Sequence, residues 1–163
     1  MFHPCFIRGS FLLITSFTIA GCSSQAPYEG KSVSQLRRML HNSDAKVQVQ
    51  GAFGLGQLGP KGKEATPELI EVLKSSDALV RQNAALALGK IDPDADEAVP
   101  ALKEALHDPE WAVRRQAAMA LGEIGPRAKP ALPELEKLKQ DPHKRVADAA
   151  REAVQKIGLK KPP

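Results

Sequence analysis

Hydrophobic and polar positions along the chain repeat at an interval of 33 residues. Shifting the sequence by this interval aligns columns of aliphatic residues and columns of proline. Residues 66–91 and 99–124, for example, share 12 identical residues in 26 positions. A fixed period between about 20 and 50 residues is typical of proteins built from stacked repeats. The most regular aliphatic column contains Val47, Val80, Val113 and Val146.

Each repeat contains two stretches with apolar residues at helical spacing, which predicts a helical hairpin. The first helix of the third repeat is predicted to begin at residue 99, with Val99, Leu102 and Leu106 on one face. A proline stands near the start of three of the four first helices, where its missing N–H is not needed. Residues that favour N-caps precede each second helix, and glycine follows it in three repeats. The predicted N-caps are Asn42, Ser75, Asp108 and Asp141, and the residues at the other end are Gly59, Asp92, Gly125 and Gly158.

The second helix of the third repeat carries a family resemblance. Residues 108–125, with the sequence DPEWAVRRQAAMALGEIG, resemble a HEAT repeat of the short type found in phycobilisome lyases. The resemblance extends over residues 32–158 and implies an all-α fold, a right-handed α-solenoid of four HEAT-like helical hairpins with a 33-residue period. In such a fold no hairpin buries its apolar face alone, and stacking supplies a continuous core. The predicted repeats cover residues 32–60, 65–93, 98–126 and 131–158, and residues 159–163 form a tail.

The beginning of the chain has the pattern of an export signal. Arg8 is followed by an apolar run over residues 11–20 and by Gly21 before Cys22. A short positive region, an apolar stretch of about ten residues and small residues at a junction are typical of a secretory signal peptide. The run is too short to span a bilayer, which takes about 20 residues. An uncleaved buried helix is the alternative.

The four residues IAGC that end at Cys22 resemble the lipobox of bacterial lipoproteins. The resemblance implies that residues 1–21 are removed, that Cys22 carries a lipid and that residues 22–31 form a polar tether. It also implies a membrane-anchored protein on the periplasmic side. The serine that follows slightly favours the outer membrane under the sorting rule known for enteric lipoproteins. Because Cys5 would leave with the signal peptide, the mature chain would hold no free thiol and no disulfide.

Composition and charge limit the class of protein. Apolar residues make up 42% of the chain and charged residues 26%, which excludes a disordered tail and a protein with many membrane spans. Residues 1–21 contain one of the 23 basic residues, so 22 Lys and Arg then face 19 Asp and Glu, a net charge of about +3. This balance lacks the basic stripe expected of a nucleic-acid-binding protein. We therefore expect a protein partner and no nucleic acid.

One face of the second helices lies away from the aliphatic columns. In HEAT-like solenoids the second helices line the concave surface, so residues two and six positions after each column valine are expected there. They form an apolar row with polar edges, which is typical of an interaction surface. The alternative is that superhelical packing buries the row. The candidate partner-binding residues on this face are Phe53, Gln82, Leu86, Arg115 and Met119.

An arginine follows the column valine in the second and third repeats, as Arg81 and Arg114. In the HEAT family this position commonly pairs with an acidic residue of the preceding turn, which implies a structural ladder with Asp77 and Glu110. Contact with a ligand is the alternative for these arginines. Trp111 has no aromatic counterpart in the other repeats. It is predicted to cover the packing of the turn locally or, alternatively, to be a binding hot spot.

The sequence contains no motif for catalysis. Deoxyhypusine hydroxylase resembles HEAT-like arrays and binds iron through repeated His-Glu pairs, whereas none of the four histidines here precedes a glutamate. Glycine-rich phosphate-binding loops and nucleophile motifs are also missing from the sequence. We therefore expect no enzyme activity, no cofactor and no metal.

Together these patterns predict a lipid-anchored HEAT-repeat scaffold for protein–protein interaction at the bacterial cell envelope. The lipid would fix the location, and the solenoid would bind an extended or helical segment of a partner. Two alternatives stay open. In the first, the chain is an accessory module of an enzyme or a lyase-like HEAT protein. In the second, it is a structural envelope lipoprotein that self-associates.

Overall fold

The computed structural model describes residues 26–91 and 95–158. Within these residues the chain forms eight α-helices and no strand, and consecutive helices pair into four hairpins. The expected all-α solenoid is therefore confirmed. The predicted signal peptide, Cys22, Asp92 and residues 159–163 lie outside the described residues. The helices are α1 (Val33–Leu40), α2 (Ala45–Leu58), α3 (Thr66–Val72), α4 (Ala78–Lys90), α5 (Ala95–Ala105), α6 (Trp111–Ile124), α7 (Leu132–Leu138) and α8 (Lys144–Gly158).

Two connections between hairpins are 3₁₀ helices, Gly59–Ala65 and Gly125–Ala131. The glycine that opens each one has a positive φ, 54° at Gly59 and 68° at Gly125. Residues with a side chain rarely adopt such a φ. Glycine at the ends of α2 and α6 therefore has the conformational role that the sequence predicts.

Helix α5 differs from the other first helices. It begins at Ala95, whereas the sequence predicts a start at residue 99, so Pro100 lies inside the helix and not in its first turn. Because proline has no N–H, it cannot donate the helical hydrogen bond to the carbonyl one turn before it. The prolines of α3 and α7 occupy the first turn, as expected.

The N-caps lie two positions later than predicted. Asp44 and Asp77 cap α2 and α4, and their carboxylates accept hydrogen bonds from N–H groups of the first helical turn. The predicted caps instead accept a hydrogen bond from the backbone N–H two residues later, in a tight turn that precedes the helix. The prediction is wrong because the same residue types favour both positions. The side chains that form these turns belong to Asn42, Ser75, Asp108 and Asp141.

The hydrophobic core runs through all four hairpins. Each second helix packs against the next one, and each first helix packs against its own second helix. The aliphatic columns of the repeat point into this core, so that Leu55, Leu88 and Leu121 are fully buried. Stacking thus supplies the burial that a single hairpin cannot provide.

Glycines at the 33-residue period bring neighbouring second helices close together. A Cβ atom on Gly89 would lie 2.8 Å from the Cα atom of Ala120, and one on Gly122 would lie 3.1 Å from the Cα atom of Ala153. A side chain at these positions would push the helices apart, so the stacking distance depends on glycine. The first pair in this column is Gly56 and Ala87.

The segment before α1 packs against the first hairpin. Residues 27–30 form a turn, and the ring of Tyr28 meets the ring of Phe53 edge-on, with centroids 5.1 Å apart. Gly54 leaves space for this contact, since a Cβ atom there would lie 2.8 Å from the Cβ atom of Tyr28. The contact between Tyr28 and Phe53 thus places the second half of the segment predicted as a tether, residues 22–31, against α2.

Candidate protein-interaction surface

A groove of about 410 Å³ lies between α4 and α6. Leu86 from α4 and Met119 from α6 line it, and both side chains are half-buried. Lys90, Gln116 and Glu123 supply its polar lining. We call this surface the α4–α6 groove. Its apolar walls and few polar groups are those of a surface that can bind a side chain of another molecule.

A second groove, of about 360 Å³, lies between α6 and α8. Met119 lines this groove as well, so the two grooves adjoin at its side chain. Arg115, Arg145, Asp148 and Glu152 make its lining strongly charged. We call it the α6–α8 groove.

The acidic side chains of the α6–α8 groove have basic partners. Asp148 accepts a hydrogen bond of 2.6 Å from Arg151, and a carboxylate oxygen of Glu152 lies 2.9 Å from Nζ of Lys156. The same ammonium group donates to Glu123 at 2.7 Å. Hydrogen bonds to Glu123 and Glu152 raise the pKa of Lys156 above its ordinary value. Asp148 therefore has a basic partner of its own, and Glu152 and Glu123 share the ammonium group of Lys156.

The arginines of the α6–α8 groove lack such partners. Among the described residues, none forms a hydrogen bond or an ion pair with Arg115, which is half-buried. The guanidinium carbon of Arg145 lies 5.9 Å from the centre of the Trp111 ring, a cation–π contact. The groove therefore presents positive charge that the described part of the chain does not balance.

Gln116 is a site residue that the sequence reasoning missed. Its side chain lines the α4–α6 groove although the residue is only 8% exposed. No described residue forms a hydrogen bond with its carboxamide. The equivalent Asn83 of the second repeat donates to the carbonyl of Leu79, one turn earlier in its own helix. Polar residues that recur at this position of the second helices could have pointed to Gln116. A helical wheel alone, however, places such a column in solvent.

The structure brings together only some of the residues of the predicted partner-binding row. Leu86 and Met119 share the α4–α6 groove, and Arg115 lies beside Met119 in the adjoining groove. Phe53 packs against a ring of the segment before α1, and Gln82 is half-buried on α4. All five side chains are half-buried, so the row is neither a free surface nor part of the core.

Trp111 joins the third and fourth hairpins. Its ring stacks on the imidazole of His143, with centroids 4.0 Å apart and planes only 1° from parallel. The tryptophan is half-buried, and the contact lies where α6 begins and the turn before α8 ends. Trp111 therefore has the local packing contact that was one of its two predicted roles.

The arginine ladder exists, but with other acidic partners than predicted. Arg81 donates from Nε to Oδ2 of Asp108 at 2.6 Å, and Arg114 donates from Nε to Oδ2 of Asp141 at 2.8 Å. Both acceptors lie in the turn of the following hairpin. The predicted partners do not accept these hydrogen bonds. Asp77 instead accepts from helix N–H groups as the cap of α4, and Glu110 precedes α6 without a side-chain capping bond.

The ladder carboxylates are unusually acidic. Burial on its own would raise the pKa of Asp108, but hydrogen bonds from Arg81 and from the backbone N–H of Glu110 outweigh it and hold the pKa below its ordinary value. The pKa of Asp141 is lowered in the same way by Arg114. Both carboxylates are therefore ionised near neutral pH and hold successive hairpins together.

A further groove of about 530 Å³ lies on the side of the first helices, between α5 and the segment that leads into α7. Val99, Pro100 and Pro130 give it an apolar wall. Lys103 and Glu134 face each other in it across 3.4 Å. Because this pair is internally neutralised, the groove shows no unbalanced charge from these two residues.

The profile of HEAT repeats matches residues 33–110 and 92–155 of the sequence. The chain belongs to the HEAT-repeat family. The matched residues span the helices from α1 to most of α8, so the family assignment and the hairpin architecture agree.

Solved structures of similar fold include proteins of different roles. Human deoxyhypusine hydroxylase, in complex with glycerol, is 30% identical with a TM-score of 0.62, and the match covers 79% of this chain and 44% of that one. The complex of CpcE and CpcF of the phycocyanin lyase from Nostoc gives 23% identity and a TM-score of 0.58 over 78% of this chain and 65% of that one. A designed armadillo repeat protein in complex with the peptide (KR)4 gives 20% identity and a TM-score of 0.65 over 77% and 64%.

This HEAT-repeat chain spans between 44% and 65% of the length of these structures. No curated protein matches it. In the part of the chain that the structure describes, there is no group of three or more His, Cys, Asp or Glu side chains that could hold a metal ion. No helix within residues 26–91 and 95–158 has the length and apolar character needed to cross a bilayer.

Proposed function

We propose that this HEAT-repeat protein is a lipid-anchored scaffold that binds a partner protein at the bacterial cell envelope and carries out no catalysis. The observation that carries the proposal is the shared α4–α6 groove of Leu86 and Met119. Two half-buried apolar side chains from successive second helices face the same open space. Apolar groups surrounded by polar ones mark an interaction surface, and methionine adapts its shape to different partners.

The repeat architecture itself supports a binding role. A solenoid exposes a long surface for its size, because each hairpin contacts only its neighbours. Among the similar structures, the designed armadillo protein is bound to a peptide, and CpcE and CpcF form a complex with each other. These examples support protein binding by α-helical repeats and carry no further detail to this chain.

The N-terminal sequence supports the anchor. The apolar run over residues 11–20 and the IAGC motif that ends at Cys22 have the features of a lipoprotein signal. Residue 26 already belongs to the segment that packs against α2. From Cys22 to residue 26 an extended chain spans at most about 14 Å. A lipid on Cys22 would therefore hold the first hairpin close to the membrane surface.

The accessory-module alternative has one observation in its favour, the 30% identity to human deoxyhypusine hydroxylase. Under that alternative the chain would bind an enzyme subunit or its substrate and support the reaction. The missing His-Glu pairs favour the scaffold. The two functions differ in the bound partner, which the following experiment recovers.

A pull-down from bacterial membranes tests the scaffold function. We expect the tagged wild-type protein to capture a defined partner and the double variant Leu86→Asp, Met119→Asp to lose it while its helical circular dichroism is unchanged. Leu79→Asp is the matched control. It makes the same chemical change at a leucine that is 62% exposed. A wild-type protein that captures nothing would contradict the scaffold, and capture of an enzyme would favour the accessory module.

Membrane fractionation tests the anchor separately. The wild-type protein should partition with membranes and incorporate radiolabelled fatty acid, whereas Cys22→Ala should do neither. Label that persists in Cys22→Ala would refute lipid attachment at this residue.

A further inference from the structure

We infer that the α4–α6 and α6–α8 grooves together bind an extended segment of the partner that carries an apolar side chain beside a carboxylate. The inference rests on the proposed scaffold function and states the chemistry of its partner. The groups that carry it are Gln116, Arg115 and Arg145, together with the continuity of the two grooves at Met119.

The carboxamide of Gln116 faces the α4–α6 groove and can bind a polar ligand there. The residue is 8% exposed, yet its side chain has no hydrogen-bond partner among the described residues. Its amide atoms are not among the buried polar atoms that lack a hydrogen bond, so water reaches them and a ligand can take the place of that water. A carboxamide can both donate and accept. The backbone of an extended peptide offers an N–H and a C=O at each residue and can satisfy it.

The charge of the adjoining groove selects a carboxylate. Neither Arg115 nor Arg145 has an acidic partner among the described residues, and the guanidinium of Arg145 lies over the face of Trp111. A guanidinium binds a carboxylate through two parallel hydrogen bonds, which gives both strength and direction. Lys90 adds a further positive charge at the α4–α6 groove without an ion pair to any described residue. An acidic side chain or a C-terminal carboxylate therefore complements these groups.

A basic segment does not complement them. The acidic residues that it would need are Asp148 and Glu152, and these are already paired with Arg151 and Lys156. These exposed pairs cost little to break, but a basic segment bound here would bring its own cations next to Arg115 and Arg145. Charge complementarity thus favours an acidic partner segment.

Because of the position of Met119, one partner segment can place both the apolar side chain and the carboxylate. Its side chain lines both grooves, so a residue seated against Leu86 and Met119 has a neighbour within reach of Arg115. Consecutive Cα atoms of an extended chain lie about 3.8 Å apart. The apolar residue and the carboxylate are therefore expected within about two positions of each other.

A random heptapeptide library displayed on phage, selected on the full-length protein in detergent micelles, tests this inference. We expect the selected peptides to share an apolar residue with Asp or Glu one or two positions away. Fluorescence anisotropy of one labelled peptide should then show binding that weakens at least about tenfold when its Asp or Glu is replaced by the corresponding amide.

Variants of the protein locate the site. The double variant Arg115→Ala, Arg145→Ala should bind the labelled peptide at least about tenfold more weakly. Arg38→Ala, Lys74→Ala is the matched control, because it removes the same charge from exposed residues outside both grooves, in α1 and in the turn after α3, and should bind like the wild type. Gln116→Met should weaken binding several-fold without lowering the melting temperature, since the native carboxamide has no internal hydrogen bond to lose.

Three outcomes would overturn the inference. They are selection of no peptide, selection of basic or carboxylate-free peptides, and equal binding by the two double variants. If the wild-type protein is a dimer that Arg115→Ala, Arg145→Ala dissociates, the occupant is a second copy of the chain and the inference is also wrong. In each case the membrane pull-down reports separately on the scaffold function, because it is scored by the captured partner and by the Leu86 and Met119 variants.

Discussion

The guanidinium of Arg81 lies against the carboxylate of Asp108, which belongs to the next hairpin. Nε donates to Oδ2 at 2.6 Å, and Nη2 donates to Oδ1 at 2.9 Å. Nη1 of the same group donates to the backbone carbonyl of Ser75 at 2.8 Å, in the turn of its own hairpin. One side chain thus ties two successive turns together. Arg114 repeats the arrangement with Asp141 one period later.

We expect Asp108→Asn to lower the free energy of unfolding by about 1–3 kcal/mol. Asparagine keeps an oxygen that can accept from the N–H of Glu110, so the turn is retained while the charge that faces Arg81 is lost. The Arg81 and Asp108 side chains are only 13% and 8% exposed, so solvent replaces the lost charge poorly. Urea denaturation at neutral pH measures the difference.

Asp148→Asn is the control for this experiment. Asp148 also pairs with an arginine, Arg151, but the two side chains are 55% and 53% exposed. Exposed pairs contribute little, so we expect a change below about 0.5 kcal/mol. Equal effects of the two substitutions would show that the ladder pair contributes no more than a surface contact.

Acid should weaken the stacking of the hairpins. The pKa of Asp108 is lower in the folded protein than in the unfolded chain, and so is that of Asp141. Such a carboxyl stabilises the folded state above its unfolded pKa of about 4, and this contribution is lost as the pH falls through the lower folded value. The free energy of unfolding from urea titrations should therefore fall progressively below about pH 4. Asp108→Asn should show a shallower fall, and parallel curves for wild type and variant would contradict the assignment.

The period of the sequence predicts the ladder columns but not their pairing. The turn column runs Ser75, Asp108 and Asp141, and the arginine column supplies Arg81 and Arg114, all visible by alignment at 33 residues. The acidic partner lies 27 residues after each arginine, in the next hairpin. Helical geometry within one hairpin favours a residue of its own turn. The offset between hairpins depends on how closely the helices stack, which no single repeat encodes.

The sequence also does not predict contacts that occur in only one repeat. Tyr28 precedes the first repeat and has no periodic equivalent, so nothing in the pattern predicts that its ring covers Phe53. Gln116 belongs to a polar position and yet is buried, because α4 and α6 approach closely where Gly89 faces Ala120. By contrast, Leu86 and Met119 follow directly from the helical wheel, and they share the α4–α6 groove.

Gly89→Ala should destabilise the solenoid although alanine favours helices. Alanine would add up to about 1 kcal/mol of helix propensity. Its Cβ would stand 2.8 Å from the Cα atom of Ala120, and backbone cannot move aside as a flexible side chain does. We expect a net loss of about 1–3 kcal/mol, measured by thermal or urea unfolding.

Gly158→Ala is the matched substitution for this test. Gly158 ends α8, and a Cβ atom there would meet no atom within 4 Å. The substitution Gly158→Ala should leave the free energy of unfolding unchanged or raise it slightly. If Gly89→Ala is as well tolerated as Gly158→Ala, the close approach of α4 and α6 does not constrain the stacking distance.

Alanine substitution at Leu86 and at Met119 distinguishes a binding surface from a core. Both side chains are half-buried, so each single substitution should lower the free energy of unfolding by about 1 kcal/mol. Leu88→Ala is the internal reference on the same helix. Leu88 is fully buried, and its truncation should lower the stability by about 2–5 kcal/mol. If urea unfolding gives Leu86→Ala or Met119→Ala a loss equal to that of Leu88→Ala, these side chains hold the hairpins together and are not available to a partner.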